Sequence, residues 1–337
     1  MRKVVLGLLV LIVGAAVAGY FSLRRADIPY ATLDRIYASP ASKFIDMGGG
    51  VEAHWRDEGN PNARPILLIH GFSASLHTWE PWVRELGGEY RMISVDLPGH
   101  GLTRTPAGYK PTIEGYADFV DAFMEKTSLD KAIVVGSSMG GNTAWMMALR
   151  HPDRVDSLVL VGASGWREES NEGSQEEPLV FKLLRTPVVG PLLMNLDNSR
   201  LVRGGLEASF VDKSLVDDAM VKRYVDMARA PNHRPVLLAI TVSRDERAIA
   251  TRESLAKIAT PTFILHGDQD NLVPVAGATL FRDAIPGAQA VIYENIGHIP
   301  QEEIPARSAQ DLRTFLKRIA PEAIAGAPLA ASVPDAE

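Results

Sequence analysis

The sequence contains no cysteine and no long basic run. Without cysteine the chain can form neither a disulfide nor a thiolate metal site, and it has no thiol nucleophile. The missing basic run and a formal net charge of −6 argue against nucleic acid as a partner. No internal repeat is visible in the 337 residues. A composition of 46% hydrophobic and 23% charged residues indicates one large or two modest globular domains.

Charge is also absent from the run Val4 to Leu23, which lies between two pairs of basic residues. About twenty apolar residues suffice for a helix to span a bilayer. Ala16-Val17-Ala18 offers a possible cleavage site, so a cleaved signal peptide and a secreted protein remain the alternative. Because the apolar run continues beyond that site, we expect residues 1–25 to be a membrane anchor outside the folded core. The domain would then be periplasmic or extracellular.

Apolar runs typical of buried strands alternate with helical segments from about residue 40 onward. The strand-like runs are Phe44 to Met47, Val51 to Arg56, Pro65 to Gly71, Arg91 to Asp96, Lys131 to Gly136, Val155 to Val161, Pro261 to His266 and Ala288 to Tyr293. This alternation predicts an α/β fold with a mostly parallel central sheet flanked by helices.

The alternation breaks between the sixth strand-like run, Val155 to Val161, and the seventh, Pro261 to His266. Helical patterns cover Leu215 to Ala230 and Arg234 to Ile249 in this interval. We interpret this block as a helical cap, with ordinary helical decoration as the alternative. The predicted divisions are core 40–165, cap 166–255, core 256–320 and a disordered tail at 321–337, which is rich in Ala and Pro. Apolar residues at the start of the cap, among them Phe181 and Leu184, with Trp166 before them, are candidates to contact substrate.

Gly136-Ser137-Ser138-Met139-Gly140 follows a predicted strand and precedes a predicted helix. A serine on such a sharp turn needs glycines two residues before and after it, because strand and helix cross closely there. The helix N-terminus would also stabilise an oxyanion. The motif therefore predicts Ser138 as a nucleophile; a glycine-rich turn with a capping serine is the alternative.

Five motifs in chain order resemble the α/β-hydrolase superfamily, in the branch with a helical cap after the sixth strand. They are His70-Gly71-Phe72, Asp96-Leu97-Pro98-Gly99-His100-Gly101, Gly136-Ser137-Ser138-Met139-Gly140-Gly141, Gly267-Asp268-Gln269-Asp270 with Val273-Pro274, and Gly297-His298. The resemblance extends from about Phe44 to Ala320.

The resemblance implies a catalytic triad in the order serine, acid, histidine. Ser138 would be the nucleophile and His298 the base, and the family's spacing favours Asp270 over Asp268 as the acid. The backbone N–H groups of Phe72 and Met139 would form the oxyanion hole. His70 and His100 would have structural roles.

The same resemblance implies a hydrolase of carboxylic esters with apolar acyl groups that needs no metal and no cofactor, with a small-molecule ester as its partner. The serine argues against the branches that use aspartate at that position. Three alternatives stay open: a carbon–carbon hydrolase of the aromatic meta-cleavage type, a cofactor-free perhydrolase, and a ligand-binding protein without turnover.

Overall fold

A computed structural model describes residues 11, 14–15, 18–166, 179–243 and 249–319. In these residues an eight-stranded sheet lies at the centre of the protein. Its strands are β1 (Ser42–Gly48), β2 (Val51–Gly59), β3 (Pro65–Ile69), β4 (Arg91–Val95), β5 (Ala132–Ser137), β6 (Val155–Val161), β7 (Thr262–Gly267) and β8 (Gln289–Tyr293). The spatial order is β1-β2-β4-β3-β5-β6-β7-β8, antiparallel at β1–β2 and β2–β4 and parallel elsewhere. The predicted α/β fold class is confirmed.

Helices cover both faces of the sheet. Those outside the interval between β6 and β7 are α1 (Tyr30–Tyr37), α2 (Glu80–Leu86), α3 (Ile113–Lys126), α4 (Met139–Arg150), α11 (Ala276–Ala284), α12 (Pro300–Glu303) and α13 (Pro305–Ile319). Between β6 and β7 lie α5 (Leu179–Leu184), α6 (Val189–Met194), α7 (Ser199–Ser209), α8 (Asp218–Ala228), α9 (His233–Val242) and α10 (Arg252–Leu255). Short 3₁₀ turns occupy Leu76–Trp79, Pro152–Arg154 and Lys213–Leu215.

Strand β3 shows why the central runs are apolar at every position. Successive side chains point to opposite faces of a sheet, and here both faces are covered. Leu67 and Ile69 pack in one hydrophobic cluster with residues of α3 and α4, while Leu68 packs in the other with residues of α2 and α13. Each fully buried side chain of this kind contributes about 1.5–3 kcal/mol to folding. The two clusters hold the sheet rigid beneath the loops at its carboxyl edge.

Helices α5 to α9, residues 179–242, occupy the position predicted for a cap, and we call them the cap segment. The first of the two helices predicted there is shorter in the structure. Helix α8 begins only at Asp218, because the side chain of Asp217 accepts from the N–H of Met220 and caps it. Helix α9 covers His233–Val242, whereas the sequence pattern predicted helix from Arg234 to Ile249; residues 244–248 of that prediction lie outside the described residues. The cap segment packs on the main domain through Ile299, which joins a cluster with Leu206 and Phe210.

The described part of the N-terminal run meets the cap segment. Residues 18–23 are helical, and the N–H of Asp197 donates to the carbonyl of Leu23 at 2.9 Å. The N–H of Arg25 donates in turn to Asn195 at 2.8 Å. No helix in the described residues is long and apolar enough to cross a bilayer. Most of the predicted anchor, including residues 1–10, and the tail predicted to be disordered at 321–337 lie outside the described residues.

Candidate active site

Ser138 lies at the sharp turn between β5 and α4. Its backbone has φ 55° and ψ −118°, a conformation that residues with a Cβ rarely adopt. A Cβ on Gly136 would lie 2.0 Å from the carbonyl oxygen of Gly140, and one on Gly140 would lie 2.2 Å from that of Ile69. Glycines are therefore required on both sides of Ser138, as the motif predicted. The N–H of Ser138 donates to Val161 of β6 at 2.9 Å, which fixes the turn.

A histidine–carboxylate pair forms at the ends of β7 and β8. His298 Nδ1 lies 2.7 Å from Asp270 Oδ2, and both side chains are buried. Because the carboxylate can only accept, Nδ1 carries the proton and leaves Nε2 free to accept one. The other oxygen, Asp270 Oδ1, accepts from the N–H groups of Leu272 and Val273 at 2.8 Å each. These backbone bonds set the orientation of the carboxylate.

A second histidine contacts the same carboxylate. His266 Nε2 lies 3.0 Å from Asp270 Oδ2 and 3.0 Å from the carbonyl oxygen of Val273. Both neighbours are acceptors, so Nε2 carries a proton. Burial by itself would raise the pKa of the Asp270 carboxyl, but the hydrogen bonds from His266 and His298 outweigh burial and hold that pKa well below its usual value. Asp270 is therefore ionised at neutral pH.

The serine turn and the histidine loop meet at the carboxyl end of β6. A Cβ on Gly162 would lie 3.1 Å from His298 Nδ1, so the imidazole lies against the residue that follows Val161. Val161 is the residue to which Ser138 is hydrogen-bonded, and the N–H of Ser164 donates to the carbonyl of Ser138 at 3.1 Å. Ser138, His298 and Asp270 thus lie at the carboxyl ends of neighbouring parallel strands, where open α/β sheets hold their ligands.

The two backbone groups predicted for an oxyanion hole flank the serine. Met139 is the first residue of α4, so its N–H has no acceptor within the helix. Phe72 follows Gly71, where a Cβ would lie 3.7 Å from Ser138 Oγ. The loop from Gly71 therefore passes directly beside the serine hydroxyl. The Phe72 side chain is 41% exposed, whereas that of Met139 is buried.

Two buried histidines brace this loop. His70 Nε2 accepts from the N–H of Leu97 at 3.0 Å, so its proton is on Nδ1, which lies 2.7 Å from the carbonyl oxygen of Gly71. Burial lowers the pKa of His70 and keeps the ring neutral. The ring of His100 lies beside that of His70, tilted by 50° with 5.2 Å between the ring centroids, and His100 is also buried. The burial of both histidines supports the predicted structural roles, which stay a prediction.

The remaining residues singled out in the sequence make other contacts. Asp268 Oδ1 accepts from the N–H of Asn295 at 2.7 Å and so closes a neighbouring loop. Trp166 packs edge-on against Phe281, with ring centroids 6.0 Å apart, and belongs to the main core. Leu184 is buried within the cap segment. The side chain of Phe181 lies outside the described residues.

Glu303 is a residue that the sequence reasoning missed. Its Oε2 accepts from the N–H of Gly297 at 2.7 Å, and its Oε1 accepts from the N–H groups of Val211 and Asp212 at 2.8 and 2.9 Å. The N–H of His298 also donates to the cap carbonyl of Ser209 at 2.8 Å. One carboxylate therefore ties the cap segment to the loop that carries His298. Two adjacent glutamates after a proline give no sequence signal for this role.

Replacing Glu303 by Gln should lower kcat by about tenfold, which corresponds to a rise of about 1.4 kcal/mol in the activation barrier. The amide has one accepting oxygen in place of two, so either Gly297 or the cap backbone loses its partner. Turnover per site, with sites counted by a fluorophosphonate probe, measures the effect. Glu253→Gln, on an exposed glutamate of α10, is the control, and equal turnover in the two variants would contradict the prediction.

Glu302, the neighbouring glutamate, belongs to a hydrogen-bond chain that reaches the serine turn. Gln301 Nε2 donates to Ser137 Oγ at 3.2 Å and to Thr78 Oγ1 at 3.1 Å, and Thr78 donates to Glu302 Oε1 at 2.5 Å. Burial raises the pKa of the Glu302 carboxyl to about 7, although the Thr78 bond opposes the shift and Arg223 lies nearby. At pH values between 4.5 and about 7, the Glu302 carboxyl therefore keeps a proton in the folded protein that it releases in the unfolded chain.

This raised pKa makes stability depend on pH. Between the ordinary pKa of 4.5 and about 7 the folded state binds more protons, so the free energy of unfolding falls as pH rises through that window. Glu302→Gln removes the titration and keeps an acceptor for Thr78. We expect the melting temperature of the variant, relative to the unsubstituted protein, to rise by a few degrees more at pH 8 than at pH 5. A pH-independent difference would refute the shift.

The chain is similar in sequence and in structure to known proteins. A family model described as alpha/beta hydrolase fold matches residues 64–305. Monoacylglycerol lipase abhd6-B of Xenopus laevis is 31% identical over 278 residues, which cover 77% of this chain and 78% of that protein.

Two solved structures are also similar. A bacterial membrane phospholipase A has 26% identity and a TM-score of 0.70, with 95% of this chain and 99% of that chain covered. A meta-cleavage product hydrolase from Pseudomonas fluorescens has 26% identity and a TM-score of 0.69, with coverage of 82% and 98%.

Proposed function

The chain belongs to the alpha/beta hydrolase family, and from that premise we propose that it is a serine hydrolase of carboxylic esters with apolar acyl groups. The observation that carries the proposal is the pair His298–Asp270, at 2.7 Å, together with a serine held in a strained turn. A nucleophile, a base and an oriented acid are what acyl transfer requires.

In the proposed reaction Ser138 Oγ attacks the ester carbonyl while His298 Nε2 takes its proton. The tetrahedral oxyanion is stabilised by the N–H groups of Phe72 and Met139 and by the positive end of the α4 dipole. His298 then returns the proton to the leaving alcohol, which departs and leaves an acyl-serine. A water molecule, activated by the same histidine, hydrolyses the acyl-serine. Asp270 stays ionised and stabilises the imidazolium throughout.

The acyl preference rests on the relatives and on the cap segment. Two of the similar proteins are described as a monoacylglycerol lipase and a membrane phospholipase A. Apolar side chains dominate α5 and α6, which read Leu-Val-Phe-Lys-Leu-Leu and Val-Gly-Pro-Leu-Leu-Met. We infer that an apolar acyl group is accommodated beneath these helices.

Hydrolysis of p-nitrophenyl esters of graded chain length tests the function. We expect turnover that rises from acetate to medium or long acyl chains. The second candidate is carbon–carbon hydrolysis, which the likeness to the meta-cleavage product hydrolase favours. A meta-cleavage product is therefore assayed in parallel. Faster turnover of that dienoate than of every ester would replace the ester proposal by the second candidate.

We also propose that the N-terminal run anchors the enzyme to a lipid membrane, with the domain on the exported side. The likeness to the membrane phospholipase A extends over 95% of this chain and supports the anchor. Deleting residues 1–22 should release an active enzyme into detergent-free buffer, since Leu23, which pairs with the cap segment, is retained. Differential centrifugation and ester turnover measure this. Sedimentation of the shortened chain with membranes after an alkaline wash, which removes protein bound only to the membrane surface, would count against the anchor.

A further inference from the structure

Large apolar side chains that are exposed to solvent concentrate in two stretches of the described chain. Half of the sixteen exposed ones in the described residues lie in these stretches: Leu11, Phe21 and Leu23 in the N-terminal run, and Leu183, Val188, Val189, Leu192 and Leu201 in α5 to α7 and their connections; the others are scattered singly. Val188 is 73% exposed and Phe21 is 65% exposed. Single exposed apolar residues are normal on soluble proteins, but a concentration of them marks a surface that binds something.

The backbone joins these two stretches. Leu23 and Arg25 pair with Asp197 and Asn195, the residues between α6 and α7, and Arg25 forms an ion pair with Asp197 at 2.9 Å. Arg234 of α9 adds a bond to the carbonyl oxygen of Arg25 at 2.8 Å. The end of the N-terminal run is thus fixed beside the end of α6. We call Phe21, Leu23, Val188, Val189 and Leu192 the apolar cap face.

Basic residues accompany this face. Residues 182–203 carry four basic side chains and one acidic side chain, although the chain as a whole has a net charge of −6. An apolar surface bordered by lysine and arginine is typical of segments that lie in the interface of an anionic bilayer.

The place where the N-terminal run ends adds a geometric argument. Val4 to Leu23 carry no charge, and twenty helical residues extend about 30 Å, the thickness of the hydrocarbon core. In the proposed anchor the run would leave the membrane near Leu23, which is the residue paired with the cap segment.

We propose that the apolar cap face lies in the surface of an anionic lipid bilayer, so that the cap segment receives acyl substrates directly from the membrane. The proposal rests on the proposed ester hydrolysis and on the proposed anchor. It adds that the folded domain, and not the anchor alone, contacts lipid, and that this contact supplies the substrate.

The absence of cysteine allows a direct test. Val188→Cys and Ile292→Cys each create a single labelling site in the full-length protein; Ile292, 40% exposed on β8, is the matched control. Each variant is labelled with bimane and reconstituted in phosphatidylcholine–phosphatidylglycerol vesicles that contain doxyl-labelled lipid. We expect doxyl lipid to quench the label at Val188 and not the label at Ile292. Absence of quenching at Val188 in membrane-bound protein overturns the proposal. So does a Val188 signal that depends on protein density and not on doxyl lipid, since this would indicate a contact between two copies.

A second arm measures substrate supply. Val188→Asp, in the turn before α6, should lower turnover of a long-chain ester embedded in vesicles by about tenfold. Turnover of water-soluble p-nitrophenyl butyrate should not change, and Ile292→Asp should affect neither substrate. Equal loss on both esters, or no loss on the vesicle ester, overturns the proposal. If the unsubstituted protein cleaves neither ester, the proposed function fails, whereas quenching still decides the membrane contact.

Discussion

Replacing Ser138 by Ala should reduce ester turnover by about a million-fold, the effect of removing a triad nucleophile in serine hydrolases. The reason is that no other group in the turn can form the acyl-enzyme. Ser137, its neighbour, is buried and its hydroxyl accepts from Gln301 at 3.2 Å. The residual rate would come from the oxyanion N–H groups and from substrate binding alone. Initial rates with p-nitrophenyl butyrate, at enzyme concentrations high enough to detect the residual rate, provide the measurement.

Ser137→Ala is the matched control, because it removes a hydroxyl one residue away and should cost about 1 kcal/mol of stability through one lost hydrogen bond. A fluorophosphonate probe should label the control at position 138 and should not label Ser138→Ala. Labelling at Ser137, or activity in the Ser138 variant above a tenth of normal, would show that the nucleophile is assigned wrongly.

The fold could be predicted from the sequence because its signals are local. The run around Ile66 to Ile69 is apolar at every position, as a strand buried on both faces must be. Gly136 and Gly140 indicate the turn in the sequence, because a Cβ at either position would collide with backbone atoms. The helix boundaries in the cap segment were less predictable. Helix α8 starts after the capping residue Asp217, which lies among several polar residues that could also cap a helix. The sequence alone therefore does not show which of them caps it.

Contacts between distant loops could not be predicted in the same way. Glu303 acts on backbone N–H groups about ninety positions earlier, and backbone groups leave no trace in a sequence. His266 left a weak signal, a polar side chain directly after the apolar residues Phe263 to Leu265 of β7. That it contacts Asp270 depends on the turn after β7, whose shape is set by two hydrogen bonds to Asp270 itself.

The second prediction concerns Asp270. The hydrogen bonds of its carboxylate determine how an asparagine side chain would be oriented at this position. Oδ1 accepts from two backbone N–H groups, those of Leu272 and Val273, so an asparagine must place its oxygen at that position. Its NH₂ group then takes the position of Oδ2 and faces His298 Nδ1. A donor at this point forces the imidazole proton onto Nε2, and the ring can no longer accept a proton from Ser138.

Asp270→Asn should therefore lower kcat by about ten-thousand-fold while KM changes little, as expected when only the histidine tautomer is wrong. Asp268→Asn is the matched control. It should cost about 1 kcal/mol of stability and little turnover, because Asp268 accepts only the N–H of Asn295. Circular dichroism confirms folding, and fluorophosphonate labelling rates report on serine activation. If Asp268→Asn were the inactive variant and Asp270→Asn retained turnover, the carboxylate that orients His298 in solution would be Asp268, and the assignment of the acid would be wrong.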